Sequence, residues 1–99
     1  MKDSEIINEI ENADVPVLID FGATWCGPCR KSEPIIDGIS EEYGDRLKVV
    51  RVNIDENPGL AVSYKIASVP VFVVIKDGKE TGRLSWLNSR EKIIGLIEG

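Results

Sequence analysis

Three short runs of apolar, largely β-branched residues, from Val15 to Phe21, Leu47 to Ile54 and Val71 to Lys76, constrain the fold of this chain more than any other feature. Runs of this length bounded by turn residues read as strands. The first two are so nearly continuous that both faces of their sheet must be covered. Helical patterns supply the cover. Ile6, Ile7 and Ile10 mark a helix from about Ser4 to Asn12, with Asp3 or Ser4 able to cap it. Ile35, Ile36, Ile39 and Tyr43 mark a longer one that starts near Cys26 or Gly27, with Pro34 inside it and a kink expected there. Asn57-Pro58 opens a short helix to about Tyr64. Asn88, with Glu91 three residues on, resembles a capping box before a last helix with Ile93, Ile94 and Ile97 on its inner face.

Asp77-Gly78 is a hairpin turn, after which about Lys79 to Ser85 returns antiparallel. The order is therefore α-β-α-β-α-β-β-α. Strand–helix–strand units imply right-handed parallel connections, and the hairpin adds an antiparallel edge. The expected product is an α/β domain over residues 1–99: a mixed four-stranded sheet with helices on both faces.

Composition narrows the function. Twelve basic against 17 acidic residues leave a net charge of −5, which argues against nucleic acid as a partner. No stretch reaches the roughly 18 apolar residues of a membrane span. The first residues carry acidic side chains and no apolar leader core, so a cytoplasmic setting is expected. There is no histidine, which excludes Ser–His and Cys–His nucleophile pairs and His-ligated metals. With only Cys26 and Cys29, no four-thiolate metal site can form within one chain, and no metal is expected.

The chemistry is concentrated in Trp25-Cys26-Gly27-Pro28-Cys29, placed after a strand and at the start of a helix. A structural staple is one reading, but so small a ring constrains the unfolded chain by only about 2 kcal/mol. A metal site shared between two chains is another, and a binding module with incidental cysteines a third. The functional reading is a dithiol that cycles to a disulfide. A free thiol with a pKa near 8.5 is only about 3% ionised at pH 7. Bringing it to half ionisation takes about 2 kcal/mol. The helix dipole typically supplies about 0.3–1 kcal/mol, and hydrogen bonds must supply the rest. Cys26, at the helix N-terminus, is the expected exposed nucleophile. Cys29, one turn inside, is the expected more buried, resolving thiol.

Beyond these residues, Asp20-Phe21, Pro34, Asn53-Ile54-Asp55 with Asn57-Pro58, Val69-Pro70 and Asp77-Gly78 follow in order along nearly the whole chain. In this ensemble the sequence resembles the thioredoxin family. The resemblance implies the thioredoxin fold and a protein-disulfide reductase and electron carrier that needs no cofactor beyond its redox-active disulfide. Its implied partners are disulfide-containing target proteins and a thioredoxin reductase of undetermined type, and it is expected to act as a monomer. Cys26 would attack the target disulfide and Cys29 resolve the mixed disulfide. Gly27-Pro28 matches the family's reducing dipeptide. Asp20, otherwise readable as a solvated carboxylate at a strand end, matches a buried aspartate that takes the Cys29 proton through water. A cis Val69-Pro70 bond is implied, with the Val69 backbone pairing with substrate. Trp25, otherwise a core aromatic, would form part of the docking rim.

Four departures from the family pattern stand out. Helix signals begin by Ser4, so the family's usual first edge strand is expected to be missing. Arg51 stands where a lysine is usual and is expected to hold Asp20 more firmly ionised. Val71 follows Pro70 where threonine is usual. Trp86 falls at or beside a usual glycine, and reads either as a core residue or as one that selects docking partners.

Overall fold

The computed structural model describes residues 2–86 and 88–99. The chain forms α1 (Asp3–Glu11), β1 (Val17–Gly22), α2 (Gly27–Tyr43), β2 (Lys48–Asn53), α3 (Pro58–Ser63), β3 (Val71–Lys76), β4 (Lys79–Ser85) and α4 (Arg90–Glu98), with a 3₁₀ turn at Gly44–Arg46. Among the described residues the sheet has four strands in the order β2-β1-β3-β4. β1 is central, parallel to β2 and antiparallel to β3, and β3 and β4 form the antiparallel hairpin. No strand precedes α1 among the described residues, so β2 is an edge.

The orientation of β3 differs from the sequence expectation, which made the β2-to-β3 connection parallel. The connection turns back locally instead of crossing the sheet: Leu60 of α3 joins Phe21 and Val52 in one core, and Val71 pairs with Phe21. The chain therefore re-enters the sheet at the end where β2 left it, and β3 runs antiparallel.

Alternation along β1 sorts its side chains between two cores. Val17, Ile19 and Phe21 join Ile6 and Ile10 of α1, Val50, Val52 and Leu60 on one face. Leu18 joins Ile36 and Ile39 of α2, Phe72, Val74, and Ile93 and Ile97 of α4 on the other. The β1–β2 register pairs Asp20 with Arg51, which puts both on the α2 side. α2 continues through Pro34 to Tyr43. Asp77 and Gly78 both have positive φ, 52° and 78°, as a two-residue type I′ hairpin requires.

The helix starts differ in detail from the sequence reading. The N-cap of α1 is Lys2, whose backbone N–H donates to the Glu5 carboxylate at 3.2 Å, and Asp3 lies inside the helix. The N-cap of α4 is Ser89, whose Oγ accepts from the Lys92 N–H at 3.2 Å. Asn88 instead donates from its side chain to the Ser85 and Trp86 carbonyls. A serine hydroxyl and an asparagine side-chain oxygen are both competent caps, and here the Asn88 side chain is turned toward the exit of β4. Ile7 is 41% exposed, whereas Ile6 is 1% exposed. One residue is a turn of about 100°, enough to carry Ile7 off the buried stripe.

That difference gives a direct test of the α1 packing. Ile6→Ala is expected to cost about 2–5 kcal/mol of unfolding free energy, and Ile7→Ala about 0.5 kcal/mol or less. Urea titrations of the two variants measure both values, and similar losses would contradict the assigned face.

Candidate active site

The segment after β1 has to turn sharply from strand to helix, and its sequence is built for that. Gly22 ends β1 where a Cβ would stand 3.4 Å from Cys29 Sγ, so glycine lets the sulfur lie close against the strand. Cys26 is the N-cap of α2, with extended backbone. Pro28 falls in the first turn, where the missing N–H costs no helical hydrogen bond. Cys26 and Cys29 are joined as a disulfide with their Cα atoms 5.3 Å apart. The Cys29 N–H donates to Cys26 Sγ at 3.2 Å. A backbone N–H aimed at a sulfur is the kind of donor that favours a thiolate.

Exposure does not separate the two cysteines as the sequence reading expected: Cys26 is 5% exposed and Cys29 is 7%. In the disulfide form Cys26 is pressed into the junction, its Sγ 3.9 Å from the Val69 carbonyl oxygen. What differs is what each sulfur faces. Cys26 lies toward the Val69-Pro70 segment. Cys29 lines a cavity of about 340 Å³ together with Asp20, Gly22, Arg30, Glu33 and Arg51.

Asp20 is 8% exposed, not a solvated strand-end carboxylate. Burial pushes its carboxyl from the ordinary 3.8 up to about 6; Arg51 pulls it down and Glu33 adds to the rise. Desolvation disfavours the charged form, and here it outweighs the nearby cation. Arg51 thus favours the ionised form of Asp20 without overcoming the effect of burial. The guanidinium is not in hydrogen-bond contact with Asp20: Arg51 Nε is 3.9 Å from Asp20 Oδ2, while Nη2 is engaged by Asp37.

Around the disulfide, the Val69-Pro70 bond is cis and both residues are buried. The Trp86 N–H donates to the Pro70 carbonyl at 2.7 Å, which ties the end of β4 to this segment. Trp86 is 58% exposed with φ of 73°, so it is not a core residue. Glycine is the residue that ordinarily adopts this left-handed backbone. Trp25 is 65% exposed and likewise outside the core. Its Nε1–H donates to Asp55 Oδ2 at 2.8 Å. Asn53 Oδ1 in turn accepts from the Asp55 and Glu56 N–H groups and holds that loop in place.

The structure thus brings Trp25, Cys26, Gly27, Pro28, Cys29, Asp20, Arg51, Val69, Pro70 and Trp86 to the end of the sheet where β1 and β2 finish and β3 begins. Sequence reasoning missed Asp55 and Asp37 as parts of this arrangement. Asp55 stands 30 residues from its Trp25 partner and Asp37 14 residues from Arg51, so local pattern carries no signal for either contact. Among the described residues no cluster of three or more potential metal-ligating side chains is present.

Comparison with known proteins agrees with this geometry. The Thioredoxin family model matches residues 1–99. The chain is similar to Thioredoxin 1 of Synechococcus elongatus, 47% identical over 77 residues, covering 78% of this chain and 72% of that protein. It is similar to the thioredoxin of Rickettsia prowazekii, 41% identical over 95 residues, covering 96% and 90%. A chain in a solved structure reported on the thiol-resolving mechanism of a yeast mitochondrial 1-Cys peroxiredoxin via glutathione/thioredoxin systems superposes with a TM-score of 0.86, at 30% identity, covering 96% of this chain and 87% of that one. A family match over the whole chain, centred on a Cys-x-x-Cys disulfide at a strand-to-helix junction, carries one conclusion: this chain belongs to the thioredoxin family and is a thiol–disulfide oxidoreductase that reduces protein disulfides.

Proposed function

We propose that the protein works as a cytoplasmic electron carrier in which Cys26 is the attacking thiolate, Cys29 the resolving thiol and Asp20 the proton acceptor. The observation that carries this reading is the asymmetry of the two sulfurs. Cys26 Sγ receives the Cys29 N–H and faces the Val69 carbonyl; Cys29 shares a cavity with a buried carboxylate. In the reduced protein the Cys26 thiolate attacks one sulfur of a target disulfide. A Cys26–target disulfide forms and the other target sulfur leaves as a thiolate. Asp20 takes the Cys29 proton through water, the Cys29 thiolate attacks Cys26 Sγ, and the second target sulfur leaves. Two electrons pass to the target, whose two thiolates take up two protons, and Cys26–Cys29 closes again. Recharging falls to a thioredoxin reductase.

Trp25, Gly27, Pro28, Val69, Pro70 and Trp86 form the docking surface in this reading, with the Val69 backbone pairing with an extended target segment. The two exposed tryptophans supply the large, stiff contact area that dominates many interfaces. Residues 1–99 act as one domain and as a monomer. Lys48 and Arg51 on the edge strand β2 support the monomer, because charged side chains blunt edge-to-edge pairing. Among the described residues no helix is long and apolar enough to cross a membrane. A compartment that keeps thiols reduced suits a reductant.

Dithiothreitol-driven reduction of insulin tests the activity, and trapping tests the order of events. Cys29→Ser is expected to accumulate covalent complexes with targets, whereas Cys26→Ser is not. Equal trapping by the two variants, read on non-reducing gels, would overturn the assignment.

The buried carboxylate has a cost that pH exposes. Between pH 3.8 and about 6 the folded protein holds the Asp20 proton more tightly than the unfolded chain does. Its contribution to stability is full below pH 3.8 and is lost as pH rises through 6, a difference of about 3 kcal/mol. Asp20→Asn is therefore expected to be more stable than wild type at pH 7 by up to that amount and to match it near pH 3.5. Its release of target from the mixed disulfide is expected to slow. Denaturant titrations at both pH values and rapid-mixing kinetics measure the two effects.

Trp86→Gly is expected to keep or raise the melting temperature, since it removes an exposed side chain from a left-handed backbone. Dithiothreitol-driven insulin reduction should persist, while coupling to an ordinary thioredoxin reductase increases. A sharp fall in melting temperature, or unchanged coupling, would remove Trp86 from the docking surface.

A further inference from the structure

The Arg51 guanidinium stands between two carboxylates of opposite exposure. Asp20 and Arg51 are direct neighbours in the β1–β2 register and share the face of the sheet that α2 covers. The Asp20 side chain is 9% exposed, that of Arg51 49%, and that of Asp37, on α2, 64%. Arg51 Nη2 donates to Asp37 Oδ1, whereas its Nε remains 3.9 Å from Asp20 Oδ2, beyond hydrogen-bond reach. The guanidinium is a planar fork whose donors are fixed relative to one another. Anchoring one end on Asp37 therefore limits how closely the other end can approach Asp20.

We propose that Asp37 is a positioning residue for the dithiol chemistry: by holding the exposed end of the Arg51 guanidinium, it keeps that cation from closing on Asp20 and preserves Asp20 as an acceptor for the Cys29 proton. The proposal rests on the reading of Asp20 given above. A guanidinium in direct contact with a carboxylate typically lowers its pKa by about 1–3 units, which makes it a poor proton acceptor for a thiol. At the distance observed, burial wins instead and the carboxyl remains raised. Charged groups that line the same cavity are Arg51 from β2, Arg30 and Glu33 from α2, and Glu56 from the loop after β2, while α1 contributes only the apolar Ile6. The Arg30 guanidinium is engaged with the Thr24 carbonyl at 2.6 Å, so Arg51 is the cation with a choice between carboxylates.

The test is an NMR titration of the Asp20 carboxyl in the full, oxidised protein, where the cysteines do not titrate. Asp37→Asn is expected to lower the Asp20 midpoint by roughly half a pH unit, the scale of an exposed ion pair. Arg51→Gln is expected to raise it, and Asp37→Asn added to Arg51→Gln to change it no further. The low-pH limb of dithiothreitol-driven insulin reduction should move down with the Asp20 midpoint in Asp37→Asn. An Asp20 midpoint that stays or rises in Asp37→Asn would overturn the clamp, as would an equal fall in the Arg51→Gln background. A midpoint that falls while the activity limb stays would leave the clamp standing. It would overturn Asp20 as proton acceptor, and with it the positioning role of Asp37 in the dithiol chemistry.

Discussion

The pairing of β1 on both of its edges is the constraint from which the site follows. Parallel bonding to β2 and antiparallel bonding to β3 fix β1 in the middle of the sheet, with helices against both faces. Its C-terminal end is then a place where three things must meet: the last residues of β1, the exit from β2 and the entry to β3. Gly22 ends the strand under Cys29, Asp20 sits two residues back on the α2 side, and Pro70 lies next to Val71 at the start of β3. None of these residues has to be held individually. The ladder holds them as a consequence of holding the sheet.

The same placement gives the site its electrostatics. A carboxylate at position 20 cannot avoid the covered interior of the sheet, because the residue before it and the residue after it, Ile19 and Phe21, are fully buried on the opposite face. The raised proton affinity of Asp20 is thus a by-product of strand position, and Arg51 moderates it from the neighbouring strand. Since β2 is an edge, the outer end of Arg51 is open to solvent and to Asp37. A residue at the rim can therefore bear on a buried one through a single shared cation.

The two tryptophans at this end of the sheet show a different economy. Trp25 and Trp86 are exposed, yet both are held: Trp25 by the Asp55 carboxylate, and the Trp86 backbone by the Pro70 carbonyl. An aromatic ring fixed by one hydrogen bond loses little further freedom on contact with a partner, which is why such side chains weigh heavily in recognition. The left-handed backbone at Trp86 keeps the turn out of β4 in the shape that glycine would allow, while adding bulk beside Pro70 that glycine would not.

Much of this was legible in the sequence. The strand runs, the helix stripes, the Asp77-Gly78 turn and the placement of Cys26 at a helix start are all written in neighbours a few residues apart, and local periodicity and capping chemistry read them directly. Four features were decided only by the tertiary structure. The direction of β3 depended on where the chain packs after β2, with Leu60 against Phe21 and Val52, and the exposure of Ile7 on a single helical step. The near-equal burial of the two cysteines reflects long-range packing: Cys26 Sγ lies 3.9 Å from the carbonyl oxygen of Val69, 43 residues away. The balance at Asp20 came from desolvation by the packed sheet against a cation shared with Asp37. Spacing along a chain encodes which residues share a face; it does not encode how much water is removed from a group, or which of two distant charges reaches it first, because both are properties of the assembled interior.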